Sequence, residues 1–307
     1  MQKDVVAIKR INDGFMMMDQ LGFFYAMTIN EFNHNCHDVH FYDILIVDDC
    51  ERIKISDLIG PMNMAKKFIF VGDIYQSRRD ESSIFSFVDI EKNQVNFLRT
   101  KYDKSSEVHF LENSIVYNYT TKLDHSSTKI HLNLSKLEDF HHIHQSWLNP
   151  VLSSTTFFID TEINNEKSNK ICIESIISAA LAVSLVICGV RKKSIGILCY
   201  DTKCPSLIKK SLSLFFESLA ELDDTEESIE VNHYLNYYKN FNHKNESNRI
   251  LIVCLGELDS VSSNEASLSI LEAKEKIFIV GRKTIVEMNP FFCKLVKKIS
   301  GSEKISY

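Results

Sequence analysis

Six short apolar runs, each ending abruptly in a polar residue, glycine or cysteine, constrain this chain most strongly. They lie at residues 43–48, 67–73, 156–160, 194–199, 249–254 and 276–281. Hydrophobicity within each run is nearly continuous rather than alternating, which is typical of parallel strands buried on both faces. Segments that favour helices, 171–189 and 206–222, lie between the later runs. Alternating strands and helices predict an α/β fold with parallel sheets.

Composition indicates a well-packed chain with two domains. It has 307 residues, of which 44% are hydrophobic and 25% charged, with only 9 Gly and 4 Pro. That length accommodates two domains of about 100–200 residues each. The stretch 124–145 is polar and rich in Ser, His and Asn. We therefore predict a first domain at 1–123, a connector at 124–150 and a second domain at 151–307.

Charge and cysteine usage exclude several classes of protein. The formal net charge of −6 excludes a surface that is basic throughout, so any nucleic-acid site must be a local groove. The eight cysteines form no Cys-x-x-Cys pair, which favours reduced core thiols. The uncharged stretch 175–190 is shorter than the roughly 20 residues of a membrane span. The first 15 residues carry charges where a secretory signal is apolar. We expect no membrane partner and a nuclear or cytoplasmic location.

Acidic residues follow two of the runs. Asp48 and Asp49 end the run 43–48, and Gly72 and Asp73 end the next, with Gln76 three residues later. Ligands of open α/β sheets bind at the carboxyl ends of the strands. Carboxylates there hold Mg²⁺ and orient water on a nucleotide γ-phosphate. These side chains are our candidate remnant of a nucleotide site, with Asp48 as the metal ligand; an ordinary strand-end role is the alternative.

The order of motifs resembles superfamily 1 helicases of the Upf-like branch. Residues 43–52 and 60–76 are similar to motifs II and III of that branch, and residues 98–103 with 113–123 are similar to motif IV. Segments at the places of motifs V and VI follow at 231–253 and 273–281. Within the branch, the helicase region of the eukaryotic DNA replication helicase/nucleases is most similar. The resemblance implies two RecA-like parallel-sheet units, ATP and Mg²⁺ as cofactors, and nucleotide contacts at Gly72 and Asp73.

Departures from that pattern concern the ATP chemistry. The chain has no Gly-x-x-x-x-Gly-Lys phosphate loop, so the first RecA-like unit is expected to be incomplete, without its Walker A segment. Asp49 stands where the family has Glu, and Asp103 and Glu272 stand where it has two arginines that stabilise the γ-phosphate. Such an arginine contributes on the order of 10³–10⁵ in rate. We therefore expect ATP binding to be weak or absent.

Basic residues in the first half of the chain are the candidates for binding nucleic acid. They are Lys66, Lys67, Arg78, Arg79, Arg99, Lys101 and Lys104. Positive charge along a groove binds single strands through their phosphates. We single out Arg78, Arg79, Lys101 and Lys104 as nucleic-acid contacts and expect weak, salt-sensitive binding.

Three functions remain in competition. The first is a helicase-like protein of DNA replication or repair that lacks ATPase activity and keeps a scaffold or nucleic-acid-binding role. The second is an active ATP-dependent 5′-to-3′ DNA helicase whose phosphate loop lies in an upstream segment or in another polypeptide. The third is a non-catalytic interaction protein that binds a protein partner. Whether the chain is an enzyme stays open at this point.

Overall fold

All six apolar runs form β-strands in the computed structural model, with ends within three residues of those expected. The structure describes residues 4–9, 23–29, 32, 41–75, 84–86, 95–102, 104–124, 130–137, 145–162, 173–219, 228–233, 249–257, 273–299 and 301–304. Strands and helices alternate along much of the chain, so the α/β class is confirmed. The chain folds as two units, Met1–Phe97 and Leu98–Tyr307.

The first unit contains a four-stranded sheet of order β2-β1-β3-β4. Its strands are β1 Asp4–Lys9, β2 Phe23–Thr28, β3 Tyr42–Val47 and β4 Ala65–Phe70. β3 and β4 are parallel, as expected. β1 runs antiparallel to both β2 and β3. Neither β1 nor β2 belongs to one of the six predicted runs, so the antiparallel half of this sheet was not expected from the sequence.

The core of the first unit lies on one side of β3. Leu45 and Val47 are buried there with Leu58, from the helix α1 Ile55–Asn63 that connects β3 to β4. β4 is the outer strand, and Phe68 and Ile69 on its opposite faces are 41% and 48% exposed. Burial on both faces, expected for run 67–73, is therefore wrong for this strand, because no described strand lies along its outer edge.

The second unit is built on a parallel sheet of order β12-β7-β11-β10-β8-β9. Its strands are β7 Thr156–Asp160, β8 Ile195–Cys199, β9 Glu230–His233, β10 Ile250–Cys254, β11 Lys276–Gly281 and, at the edge, β12 Gly301–Lys304. Every neighbouring pair in this sheet is parallel. A further parallel pair joins β5 Thr100–Lys101 to β6 Lys122–Leu123.

Helices connect these strands. They are α2 Ser106–Ile115, α3 Gln145–Ser153, α4 Ile173–Ile187, α5 Cys204–Ser218, α6 Lys283–Met288 and α7 Pro290–Val296. Both predicted helices correspond to α4 and α5. α4 is a buried helix of 15 residues. Among the helices described, none has the length and apolar character needed to cross a bilayer.

Alternate side chains of the central strands enter two separate cores. In β11, Phe278 and Val280 pack with α3, α4 and α5, whereas Ile277 and Ile279 pack with α2 and α7. Side chains alternate between the faces of a strand, so a strand covered on both faces needs an unbroken apolar run. This arrangement confirms the interpretation of the runs in the second unit and is compatible with a RecA-like fold.

The boundary between the units falls earlier in the chain than the predicted domain end at residue 123. Val108 and Leu111 of α2 are buried in the same core cluster as Phe292 of α7. The backbone N–H of Ser105 donates to the carbonyl of Lys274, at 2.7 Å. These apolar and backbone contacts attach residues 98–123 to the second unit.

Cysteines in the described part of the chain are free thiols. Five of them are buried and Cys293 is partly buried. Cys36 and Cys172 lie outside the described residues. Six of the eight cysteines thus agree with the expectation of reduced thiols.

Candidate functional site

The acidic ends of β3 and β4 are neighbours in the first unit. Val47 of β3 lies opposite Phe70 of β4. Beyond this pair, the N–H of Val71 donates to the Val47 carbonyl at 2.8 Å, and the N–H of Cys50 donates to the Val71 carbonyl at 3.0 Å. Asp48 and Asp49 therefore leave β3 beside the point where the chain leaves β4 toward Asp73.

Two of these carboxylates accept hydrogen bonds from their own turns. Asp48 Oδ1 accepts from the Asp49 N–H at 2.9 Å, and Asp73 Oδ1 accepts from the Tyr75 N–H at 2.9 Å. Asp49 has a left-handed backbone with φ of 49°, a conformation that Asp tolerates better than most residues. The side chains of Asp48 and Asp73 thus stabilise the turns that end the two strands.

Glu51 is a site residue that sequence reasoning missed. Its side chain is buried, and its Oε2 accepts from the Asp73 N–H at 3.2 Å. A Cβ at Gly72 would clash with this oxygen and lie 3.2 Å from Cys50 Sγ. Gly72 therefore allows the close approach of the two strand ends. The signal available in the sequence was a third acid two residues after Asp49, together with a glycine at the end of the next strand.

Cys50 is buried beside these acids. Its burial, together with the charge of Glu51, raises the pKa of the thiol to about 12. A thiol is nucleophilic as its thiolate, so Cys50 is unreactive at neutral pH and acts as a core side chain.

Some of the predicted contacts lie beyond the part of the chain that the structure describes. Gln76, Arg78 and Arg79 lie outside the described residues. Within the described part of the chain, no group of three or more His, Cys, Asp or Glu side chains is placed to hold a metal ion. A metal at Asp48 and nucleotide contacts at Gly72 and Asp73 stay predictions.

The second unit has its own acidic edge at the carboxyl ends of its strands. Asp160, at the end of β7, accepts from the N–H groups of Glu162 and Lys283 through Oδ1, both at 3.1 Å. It therefore ties the loop after β7 to the start of α6, which follows β11.

Asp201 plays the same part after β8. Its Oδ1 accepts from the Lys203 N–H at 2.8 Å, and its Oδ2 accepts from the Glu257 N–H at 3.3 Å. Gly256, with φ of 56°, lies so close that a Cβ there would be 3.0 Å from the Asp201 carboxylate. Asp201 thus connects the loops that follow β8 and β10.

A compensated buried charge completes this edge. Glu174 of α4 is buried, and its Oε1 lies 3.2 Å from Arg282 Nε and accepts from the Thr161 hydroxyl at 3.2 Å. The arginine satisfies the charge that burial would otherwise penalise. This contact fixes the first turn of α4 against the ends of β7 and β11.

Lys101 and Lys104, two predicted nucleic-acid contacts, surround a buried carboxylate. Glu112 of α2 is 1% exposed, with Lys104 Nζ at 3.3 Å and Lys101 Nζ at 3.6 Å from its oxygens. The Lys104 side chain is 6% exposed, and Lys101 Nζ lies 4.8 Å from the centre of the Tyr117 ring. These contacts give both lysines a structural partner; they do not test binding of nucleic acid.

His109 lies on the same helix beside this ion cluster. Its Nε2 is 3.1 Å from the Thr121 hydroxyl, which itself donates to Asn113 Oδ1 at 2.9 Å. The imidazole is therefore the donor in the first of these bonds. Burial lowers the pKa of His109 from its usual 6.5, and the nearby lysines act in the same direction while Glu112 opposes them.

Asp103 and Glu272 lie outside the described residues. They stand where the family has two arginines. Three residues after Glu272, Glu275 is buried and ion-paired with Arg249, whose Nε is 2.6 Å from Glu275 Oε1. Lys276 donates to the carbonyls of Leu152 and Ser154, at 2.9 and 2.6 Å. Burial lowers the pKa of this lysine. This segment is structural at the start of β11.

Comparison with known proteins gives two distant, partial matches. One is the DNA replication ATP-dependent helicase/nuclease dna2 of Schizosaccharomyces pombe, which is 23% identical over 60% of this chain. The other is the DNA replication ATP-dependent helicase/nuclease DNA2 of Gallus gallus, which is 29% identical over 42% of this chain. This chain is distantly similar to helicases. Each match spans only 15% of the relative's length, and no protein-family model matches the chain.

The contact between Glu51 and Gly72 predicts a coupled effect on stability. Gly72→Ala should lower the free energy of unfolding by about 1–3 kcal/mol, because the new methyl group overpacks a closed space. In a Glu51→Ala background the same substitution should cost less, since the clashing carboxylate is gone. Urea denaturation of the four proteins, followed by circular dichroism, measures this coupling. Equal penalties in both backgrounds would show that Glu51 does not limit the space at Gly72.

The buried imidazole predicts a pH dependence of stability. Because the pKa of His109 is below 6.5 in the folded chain, the unfolded chain binds more protons between that lowered pKa and 6.5. Stability should therefore fall as the pH drops from about 7.5 to about 5.5, and His109→Gln should reduce this fall. Denaturation midpoints of both proteins across this range provide the measurement. Identical pH profiles would contradict the assignment.

Proposed function

We propose that this chain is a helicase-like protein of DNA replication or repair that keeps a RecA-like scaffold and binds single-stranded nucleic acid without hydrolysing ATP. Its membership of superfamily 1 and a nuclear or cytoplasmic location belong to the same proposal. The relatives' names supply the link to DNA replication. Because the chain spans 15% of their length, their activities come to this chain only as a proposal.

One observation carries the ATPase-deficient part of the proposal. At the carboxyl edge of the second unit, Asp160 and Asp201 accept backbone hydrogen bonds from the loops that follow neighbouring strands. This edge is where open α/β sheets bind ligands. Here its carboxylates stabilise loops, and the nearby cation Arg282 is paired with Glu174. This use of the carboxylates supports the proposal that the edge holds its own loops together and does not bind a triphosphate.

The sequence supports the same conclusion independently. A triphosphate is normally bound by the backbone N–H groups of a glycine-rich loop and by a lysine. The chain has no such motif, and Asp103 and Glu272 would repel the charge that the family's arginines stabilise. A scaffold of this kind can keep its fold after its catalytic residues are lost, because the fold depends on apolar burial and not on catalytic side chains.

Equilibrium binding and ATPase assays on the purified chain test this proposal. Labelled single-stranded DNA should bind at low salt and be released steeply toward physiological salt, because the binding depends on contacts between cations and phosphates. ATP hydrolysis should stay at background with and without the DNA. Robust hydrolysis stimulated by single-stranded DNA would overturn the ATPase-deficient assignment, and absence of binding at low salt would overturn the nucleic-acid role.

A second candidate function, an active ATP-dependent 5′-to-3′ DNA helicase completed by another segment, has one observation in its favour. β4 ends beside Asp48 and Asp49, and the apolar side chains of Phe68 and Ile69 on it are exposed. An outer strand of this kind can accept an additional strand. If that strand preceded a phosphate loop, the loop would lie beside the acidic ends of β3 and β4.

The genomic sequence upstream of Met1 decides between the two candidates. An open frame that encodes an apolar strand followed by Gly-Lys-Thr would support the active helicase, and co-expression of that segment should then restore ATP hydrolysis. An upstream sequence without such a frame leaves the first proposal in place.

A further inference from the structure

Two exposed aromatic rings meet on the surface of the second unit. Phe110 of α2 is 52% exposed, and Tyr119, in the turn that follows α2, is 59% exposed. Their ring centres are 6.3 Å apart and the ring planes are inclined at 55°. The rings contact each other while more than half of each remains open to solvent, so they form a small aromatic platform.

The backbone that presents Tyr119 is strained. Asn118 and Tyr119 have φ of 49° and 63°, and two consecutive left-handed residues that are not glycine are uncommon, above all for a bulky side chain. Glycine would adopt this conformation without penalty. The chain instead holds a tyrosine there and leaves its ring largely exposed.

Hydrogen bonds fix this turn in place. The N–H of Tyr119 donates to the carbonyl of Asn113 at 2.9 Å, and the N–H of Thr120 donates to the carbonyl of Tyr117 at 3.1 Å. The buried Asn113 side chain donates to the Thr121 carbonyl at 2.8 Å. Strain of this kind persists where the surroundings over-determine it, and it is concentrated at functional sites.

Two cations follow closely on the backbone that carries the platform: Lys122 begins β6, and Arg99 directly precedes β5. The N–H of Lys122, three residues after Tyr119, donates to the carbonyl of Arg99 at 2.7 Å. Both side chains are exposed, and neither forms an ion pair with another described residue. Lys101, which lies opposite Leu123 in the strand pair, is paired with Glu112 instead. The exposed Asp124 follows on β6 and moderates the local positive charge.

We propose that Phe110 and Tyr119, flanked by Arg99 and Lys122, bind single-stranded nucleic acid. Exposed rings stack on bases without regard to sequence, and neighbouring cations contact the phosphates between those bases. This inference rests on the proposed function and gives its nucleic-acid contact a location. The predicted contact Lys104, by comparison, is buried.

Substitution at Tyr119 provides a test that separates binding from folding. Tyr119→Gly removes the ring and also relieves the backbone strain, so the variant should fold at least as well as the wild type. Its affinity for a labelled oligothymidine should fall about tenfold, which corresponds to one lost base stack. Tyr119→Phe keeps the stacking ring and should bind like the wild type. Leu214→Ala, at an exposed apolar residue of α5, is the matched control and should also bind normally.

The remaining variants test the other parts of the surface. Phe110→Ala should weaken oligothymidine binding by a similar factor. Lys122→Gln should weaken binding and lower the slope of log affinity against log salt by about one, as expected for one lost phosphate contact. Fluorescence anisotropy at several salt concentrations measures both quantities, with circular dichroism as the check on folding.

The outcomes distinguish a failure of this proposed surface from a failure of the proposed function. If the wild type binds oligothymidine and the Tyr119→Gly and Phe110→Ala variants bind equally well, the assignment of the binding surface is wrong, but the proposed nucleic-acid binding still holds. If the wild type does not bind even at low salt, both are overturned. If Tyr119→Gly changes only association between copies of the chain, the platform is a protein interface and the proposal fails.

Discussion

Burial of the central strands on both faces is the constraint on which the second unit depends. Every residue of β7, β8, β10 and β11 is buried. Side chains of one parity enter the core under α4 and α5, and those of the other parity enter the core under α2 and α7. A buried strand must also bond all its backbone groups, so polar side chains are confined to its ends. The acidic edge follows from this requirement.

At that edge, the same residue type can serve a ligand or the fold. Asp160 and Asp201 accept backbone N–H bonds that connect neighbouring strand ends. In the sheet of the first unit, Glu51 does the same for β3 and β4. Such bonds to a charged acceptor are stronger than bonds between neutral groups. The cation Arg282 at this edge is likewise committed, since it pairs with the buried Glu174. We interpret the edge as a structural remnant of a ligand site.

The sequence predicted the strands well because continuous apolar runs directly reflect burial on both faces. Runs 156–160 and 276–281 match β7 and β11 in full. It also placed Asp48 and Asp73 at neighbouring strand ends. It could not predict the antiparallel β1, because strand direction depends on the connection between strands. Nor could it identify the role of Glu51 or the burial of Lys104. Glu51 meets Asp73, and Lys104 meets Glu112, only after the chain has folded. The exposed ring of Tyr119 depends on backbone angles that no local pattern specifies.

Thermal unfolding of the chain with and without saturating Mg-ATP tests the central claim most directly. A ligand that binds only the folded chain, at 100 times its dissociation constant, adds about 2.7 kcal/mol to stability. We predict an unchanged unfolding midpoint, because the strand-end carboxylates and nearby cations are committed to the fold. A rise of several degrees that depends on both Mg²⁺ and ATP would contradict the account and show that the edge still binds a nucleotide.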